Sequence, residues 1–356
     1  MYNFTVGPVR MDPDIVEIGN SELPYFRTDS FSKIVFETEV LIKKLLNTSA
    51  SSRAIFLTGS GTLAMEASLC NVFSVEDRIL IVNGGTFGSR LCEIARRHEI
   101  PFEELRLSDG ESLKKHHFDP FEGGDYSGVV INHHETSTGV LYDLDLVRSF
   151  CRTHDALFVV DAISSFISDE LDVSALQIDV VILSSHKALA LSPGLSIVVI
   201  SQKAKEKLIK VKSKILYFDF KAALKEGERG QTPFTPAVGI ILQLNVRLKK
   251  IDKLGLTQER AKIEAIATDF RRRIKEFDVD ISSCSLSNTL TPIILRHTSA
   301  YSLYKSLCIE YDIWTAPSGG ERKHKLLRIG HIGMLTIDDN DRLFDALAEL
   351  KEKDKL

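Results

Sequence analysis

Cysteine and tryptophan are scarce in this chain: there are five Cys and one Trp among 356 residues. Cys70, Cys92, Cys151, Cys284 and Cys308 are odd in number, have no CxxC spacing and mostly sit in apolar surroundings. That is the usage of a reducing cytosol, and they read as core thiols. Long hydrophobic runs are missing too. No uninterrupted apolar stretch approaches the ~18 residues a membrane helix needs, and Met1–Pro8 has neither a basic n-region nor an apolar h-region, so the expectation is a cytoplasmic protein without membrane association. Base is not in excess: the formal charge is −4, which leaves no electrostatic footprint for nucleic acid or an anionic membrane. Internal repeats and low-complexity tracts are absent. What is present is 44% apolar content, enough for a large core in two or three units built around small-molecule chemistry.

From about residue 54 to 200, short β-branched runs alternate with amphipathic or polar segments: Ala54–Leu57, Ile79–Val82, Gly128–Ile131, Leu157–Val160, Val180–Leu183 and Ile197–Ile200. Runs buried on both faces with helices between them imply a mostly parallel α/β sheet. Ligand sites on such sheets gather at the carboxyl ends of the strands. The chemically informative residues fall there repeatedly, at Gly59–Thr62, Asn83–Gly85, His133–Glu135, Asp161 and Lys187. Beyond about residue 245 the texture changes. A helix is expected over Thr257–Phe277, with Ile263, Ile266, Phe270, Ile274 and Phe277 spaced by three or four, and a last helix is expected near Thr336, capped by its hydroxyl. The stretch Val211–Pro236, with Gly227, Gly230, Pro233 and Pro236, reads as an irregular connection, and one so long is more often functional or interfacial than idle.

Lys187 follows one expected strand, and Asp161 ends another. A lysine and an aspartate so placed are what pyridoxal phosphate requires: an amine to form an imine with its aldehyde and a carboxylate to face its ring nitrogen. Each residue has a plainer reading as well. Asp161 would be costly if buried unpaired, but it equally suits the N-cap of a helix over Ala162–Phe166. Lys187 alone could be a snorkelling surface lysine. Thr58–Glu66 joins strand to helix, where glycines and a helix N-terminus can cradle a phosphate; the alternative is a turn with a Thr62 cap. It is neither a Walker loop nor the dinucleotide Gly-x-Gly-x-x-Gly. Phe87, in a loop after a strand, is either a ring-stacking aromatic or a core residue. Arg328 interrupts an apolar strand either to capture a carboxylate or to form a structural ion pair. His133, His134 and Glu135 lack the spacing of a metal site, and none is expected.

Taken together, Gly7-Pro8, Ser60-Gly61-Thr62, His133–Gly139, Asp161–Ser165, Ser185-His186-Lys187, Thr232–Pro236 and Arg328-Ile329-Gly330 resemble the class V aminotransferases, in order and over nearly the whole chain. Alanine–glyoxylate, serine–pyruvate and 2-aminoethylphosphonate–pyruvate transaminases are nearest. The resemblance implies an α/β fold of the fold-type-I class: a large, mostly parallel seven-stranded sheet domain over 20–245, and a smaller α+β domain from 1–19 plus 246–356. It also implies a homodimer with shared active sites. The cofactor would be pyridoxal 5'-phosphate, and the partners a small amino donor and an oxo acid such as pyruvate or glyoxylate.

Carried over residue by residue, the resemblance makes Lys187 the imine lysine, Asp161 the partner of the ring nitrogen and Phe87 the stacking ring. Ser60, Gly61 and Thr62 would hold the phosphate, which His186 could also reach. Thr136 or Ser137 would lie near the ring hydroxyl, Arg328 would bind the substrate carboxylate, and Gly7 would lie near the substrate. Thr235 would reach the phosphate of the other subunit. His186 is a departure, because His-Lys is commoner in the related cysteine desulfurases. A desulfurase or another pyridoxal-phosphate lyase is therefore the competing reading, with a non-enzymatic scaffold a second competitor. Against the desulfurase, Ala316–His324 contains no nucleophilic cysteine, and Cys308 lies in an expected helix where its thiol would be buried.

Overall fold

A computed structural model describes residues 1–353 and 355–356. The apolar runs become strands β1 (Arg53–Thr58), β2 (Ile79–Asn83), β3 (Phe102–Arg106), β4 (Gly128–Asn132), β5 (Leu157–Asp161), β6 (Val180–Ser184) and β7 (Leu195–Ile200). They form one seven-stranded sheet in the order β1-β7-β6-β5-β4-β2-β3. Only β7 runs antiparallel to its neighbours. Every residue of β2, β4, β5, β6 and β7 is buried, because apolar layers cover both faces. Val130, Val159, Ile182 and Val198 pack into one layer, while Val129, Phe158, Val181 and Ile197 pack into the other. β2 and β4 are paired, yet the chain passes outward through β3 between them, so the carboxyl ends of the strands open onto a crevice.

A second, antiparallel sheet joins β8 (Val279–Ile281), β9 (Leu290–Leu295), β10 (Ala316–Pro317) and β11 (Leu326–Gly330) in the order β8-β9-β11-β10. Its inner residues Ile293, Leu295, Leu327 and Ile329 form a third apolar cluster with Ile266, Phe270, Leu343 and Leu347. The N-terminal segment belongs to this cluster through Phe4. Its residues Tyr2–Asn3 pair in parallel with Ile313–Trp314, and Gly330 N–H donates to the Phe4 carbonyl at 2.7 Å. That seam delivers Val6 and Gly7 to the crevice of the large sheet.

Helices α1 (Gly61–Val72) and α2 (Thr86–Arg97) start directly after β1 and β2. The interval 211–236 is less irregular than its glycines and prolines suggest, since it contains α3 (Phe220–Gly227), capped by the Asp219 carboxylate on Ala222 N–H. α4 (Val238–Leu254) is followed by α5 (Leu256–Arg273), shorter than expected because Ile274–Glu276 tightens into a 3-10 turn that leaves Phe277 outside. The last helix, α6 (Ile337–Glu352), begins as read, with Thr336 as its cap in reciprocal bonding with Asp339. Three cysteine expectations fail, Cys70 being only half-buried. Cys284 is exposed beside Ser112, and Cys308 is half-buried because the apolar stripe of its helix is carried by Leu303 and Leu307. Among the described residues, no helix is long and apolar enough to cross a membrane.

Candidate active site

Five strand ends of the large sheet contribute to one cavity of about 200 Å³. Ser60, Gly61 and Thr62 enter after β1, and Phe87 and Arg90 after β2. His134 and Thr136 follow β4, Asp161 ends β5, and His186 and Lys187 follow β6. Met65, Ile163 and Ser164 complete the lining. Of the twelve residues singled out from the sequence, Gly7, Ser137, Thr235 and Arg328 lie outside it.

Lys187 is buried, and its Nζ donates to the Val6 carbonyl at 2.6 Å. Among the described residues it has no carboxylate partner. Burial first, and then the Arg328 charge, draws its pKa down to about 8, so a neutral amine is accessible near physiological pH. Gly7 closes over this amine with φ +121, and a Cβ there would stand 2.8 Å from Lys187 Cδ and from the His186 carbonyl. Both the backbone angle and the contact demand glycine. His186 turns its Nδ1 to Ser184 Oγ at 3.0 Å, and burial lowers its pKa to about 4.

Asp161 is buried, and no helix follows it; residues 163–168 form a succession of turns. Its Oδ1 accepts from Ile163 N–H at 2.8 Å, and among the described residues it has no cationic partner within ion-pair distance. Burial pushes its pKa up to about 7, against the Ile163 hydrogen bond and helped by the Glu135 charge. A carboxylate held in this way is suited to a cation brought in by a ligand.

At the other end of the cavity, α1 points its N-terminus inward. Ser60, rather than Thr62, is the N-cap, and its side chain makes no capping bond. The hydroxyl and the helix's free amides are therefore left for an anion, where the helix dipole contributes roughly half a positive charge. Thr62 Oγ1 accepts from Arg90 at 3.1 Å, and the same guanidinium lies 4.8 Å over the Phe87 ring. Phe87 belongs to the first turn of α2, not to a loop. Arg90 was missed in the sequence because nothing in a helical i+3 spacing from Phe87 marks it as facing a cavity.

Glu135 is the unexpected organiser. Fully buried, it accepts from the Phe87 and Gly88 amides at 3.1 and 3.0 Å, from Ser137 N–H and Oγ, and from Asn132 Nδ2. It serves as a carboxylate cap for α2 supplied from a distant strand end, and Gly85 lets it approach, since a Cβ there would stand 2.6 Å from its carboxyl carbon. Arg328, half-buried on β11, donates to the Thr136 and Pro317 carbonyls at 3.1 and 3.0 Å and to Ala316 at 3.4 Å. It holds the rim between the two sheets and retains N–H groups beyond those three bonds. Burial lowers its pKa to about 10, which leaves it cationic. Thr235 is exposed, on a segment anchored by Arg27, which donates to Gln231 Oε1 and to the Thr232 and Pro233 carbonyls.

The residues fit pyridoxal phosphate. They offer an amine low enough in pKa to attack a carbonyl, an unpaired buried carboxylate, and a helix N-terminus whose cap serine is free. Comparison with known proteins points the same way. An uncharacterized aminotransferase of Methanocaldococcus jannaschii is 27% identical over 92% of this chain and 86% of its own length. The L-aspartate–glyoxylate aminotransferase of Paracoccus denitrificans is 26% identical over 94% and 86%. In fold, the aspartate aminotransferase of subgroup IV from Thermus thermophilus superposes with a TM-score of 0.92 over the whole of both chains at 24% identity. The model of the aminotransferase class-V family matches residues 24–298, and the chain belongs to that family, as a transaminase.

Proposed function

We propose that this transaminase holds pyridoxal 5'-phosphate in the cavity, bonded through Lys187, and moves an amino group from an amino acid or related small amine to an oxo acid such as pyruvate or glyoxylate. The observation that carries the reading is the meeting of a buried, partner-poor Lys187 and Asp161 with the N-terminus of α1 in one cavity. When bound, the cofactor supplies the electron sink that makes the donor's α-hydrogen acidic. Lys187 Nζ would hold the cofactor's aldehyde and, as a free amine, would take that proton as general base. Asp161 would keep a proton on the ring nitrogen, Ser60, Gly61 and Thr62 would hold the phosphate, and Phe87 would supply an aromatic contact to the ring. Arg328 binds the substrate carboxylate, and Gly7 gives the substrate a close approach.

The same reading divides the chain into a large unit over 20–245 and a small one from 1–19 plus 246–356, and places the enzyme in the cytoplasm as a homodimer. Support for the dimer comes from the exposed apolar group around Thr235: Leu216, Tyr217 and Phe234, the last two with rings stacked at 5.3 Å. Glyoxylate as acceptor is supported by the Paracoccus relative's name. A screen of amino donors against pyruvate and glyoxylate tests the assignment. Turnover should stop at one equivalent of cofactor without an oxo acid; sustained release of sulfide or of a C–C cleavage product without one would overturn it.

A further inference from the structure

His134 lines the cavity, is buried, and its Nε2 has no hydrogen-bond partner among the described residues. Its other nitrogen is engaged: Nδ1 lies 3.0 Å from Ser164 Oγ, which in turn accepts the Thr136 hydroxyl at 2.8 Å. Ser164 Oγ has one proton and two acceptors in reach, His134 Nδ1 at 3.0 Å and the His134 carbonyl at 3.3 Å. Given to Nδ1, the nearer of the two acceptors, that proton fixes the tautomer of the ring. Thr136, Ser164 and His134 then form one oriented relay, and the imidazole keeps its own proton on Nε2. Burial first, and then His133 and the nearby cations, pulls the ring's pKa well below 6.5, so it carries that single proton throughout the neutral range. A buried N–H facing a cavity without an acceptor is costly, and a ligand oxygen there removes the cost.

We propose that His134 is a cofactor-binding residue whose Nε2–H donates to the anionic ring oxygen of the bound pyridoxal phosphate. The inference rests on the cofactor assignment above and refines it. Thr136, the residue expected near that oxygen, has its hydroxyl proton turned to Ser164 and offers no donor. An anionic oxygen could also come from a substrate carboxylate, but His134 shares its cavity with Ser60, Asp161 and Lys187, whereas Arg328 and Gly7 do not line it. The cofactor is the source the lining favours.

The test uses the full-length wild-type chain, His134→Phe, which keeps a ring but no donor, and His134→Gln, which keeps an N–H. Each is measured for equilibrium binding of pyridoxal phosphate and of an analogue lacking the ring oxygen. Wild type should prefer the natural cofactor about tenfold, the value of one hydrogen bond to an anion, with His134→Gln retaining part of the preference and His134→Phe losing it. In the cofactor-free wild type, ¹⁵N spectra should show the His134 proton on Nε2. A proton on Nδ1, or a His134→Phe variant with native cofactor preference, overturns the proposal. So does a variant that loses only its affinity for succinate once loaded, which would assign the oxygen to the substrate. Failure of the wild type to bind the cofactor at all removes the underlying assignment, and the proposal with it. If His134→Phe does not fold, the His134→Gln comparison and the ¹⁵N tautomer decide.

Discussion

The Lys187 amine and the Val6 carbonyl, 181 positions apart, meet in a 2.6 Å hydrogen bond, so the N-terminal segment that follows Tyr2–Asn3 closes over the amine at the end of β6. The amine is uncharged only above a pKa of about 8, where burial and Arg328 have placed it. Capture of pyridoxal phosphate by cofactor-free protein should therefore accelerate with pH through a midpoint near 8, instead of the 10.5 of an ordinary lysine. Stopped-flow absorbance measures it. Lys187→Ala should show no visible band from bonded cofactor and lose roughly 10²–10⁴-fold in turnover, the usual range for a positioned general base.

Asp161 makes a prediction of opposite sign. Its pKa is raised from 3.8 to about 7, so between those values the folded cofactor-free chain holds a proton that the unfolded chain has released. The Asp161 contribution to stability then falls as pH rises from 4 to 7, by an amount on the order of a few kcal/mol. Urea titrations across that window measure the slope, and Asp161→Asn, which cannot ionise, should flatten it. Saturating cofactor should flatten it too if a ring cation pairs with the carboxylate.

How much of this was legible in the residues follows from which physical signals are local. Strands such as Val129–Ile131 and Val180–Leu183 announce themselves because burial on both faces needs unbroken β-branched runs, and the loop ends then mark the crevice without any coordinates. α3 was hidden because its eight residues sit among glycines and prolines that mask a short helix. Phe87 was read into a loop because Gly84-Gly85 looks like a turn, while the cap that starts α2 there, Glu135, lies 48 positions away. Long-range acceptors of backbone amides leave no periodic trace. The tie between His134 and Ser164 was invisible for the same reason, and the trio His133-His134-Glu135 offered only a metal reading to weigh and set aside.

Glu135 should be indispensable to the fold of the site. Removing its side chain leaves the Phe87, Gly88 and Ser137 amides buried without an acceptor, and hydrogen bonds to a charged group contribute about 1.5–3 kcal/mol each. Glu135→Ala should lower the denaturant midpoint by an equivalent of about 3 kcal/mol or more and weaken cofactor binding by displacing the start of α2. Glu135→Gln, with one carbonyl oxygen left, should fall between the variant and wild type. A midpoint unchanged in Glu135→Ala would show that the cap is dispensable.

Arg328→Lys should separate substrate from cofactor. Lysine keeps the charge but cannot hold Thr136, Ala316 and Pro317 while also presenting a planar pair of N–H groups. The expected outcome is a KM for carboxylate substrates raised roughly tenfold or more, with the cofactor dissociation constant within about twofold of wild type. Equal losses in both would make Arg328 a strut of the rim and not a substrate contact.

Thr235 decides whether active sites are shared. It is exposed on the single chain and outside the cavity, yet its segment is pinned by Arg27 and by the bond from Ala237 N–H to Thr58 Oγ1 at 3.0 Å, so it is presented outward in a fixed conformation. If it reaches a partner's phosphate, Thr235→Arg should weaken cofactor binding by placing bulk in the other subunit's site. Mixing inactive Lys187→Ala with Thr235→Arg protein should then regenerate activity. A heterodimer contains one site with a native lysine and a native threonine from the opposite chain, and random assortment makes half of all dimers heterodimers. Recovery should approach a quarter of wild-type activity per total site. No recovery, in a mixture that analytical ultracentrifugation shows has exchanged subunits, would place Thr235 in the site of its own chain or in none.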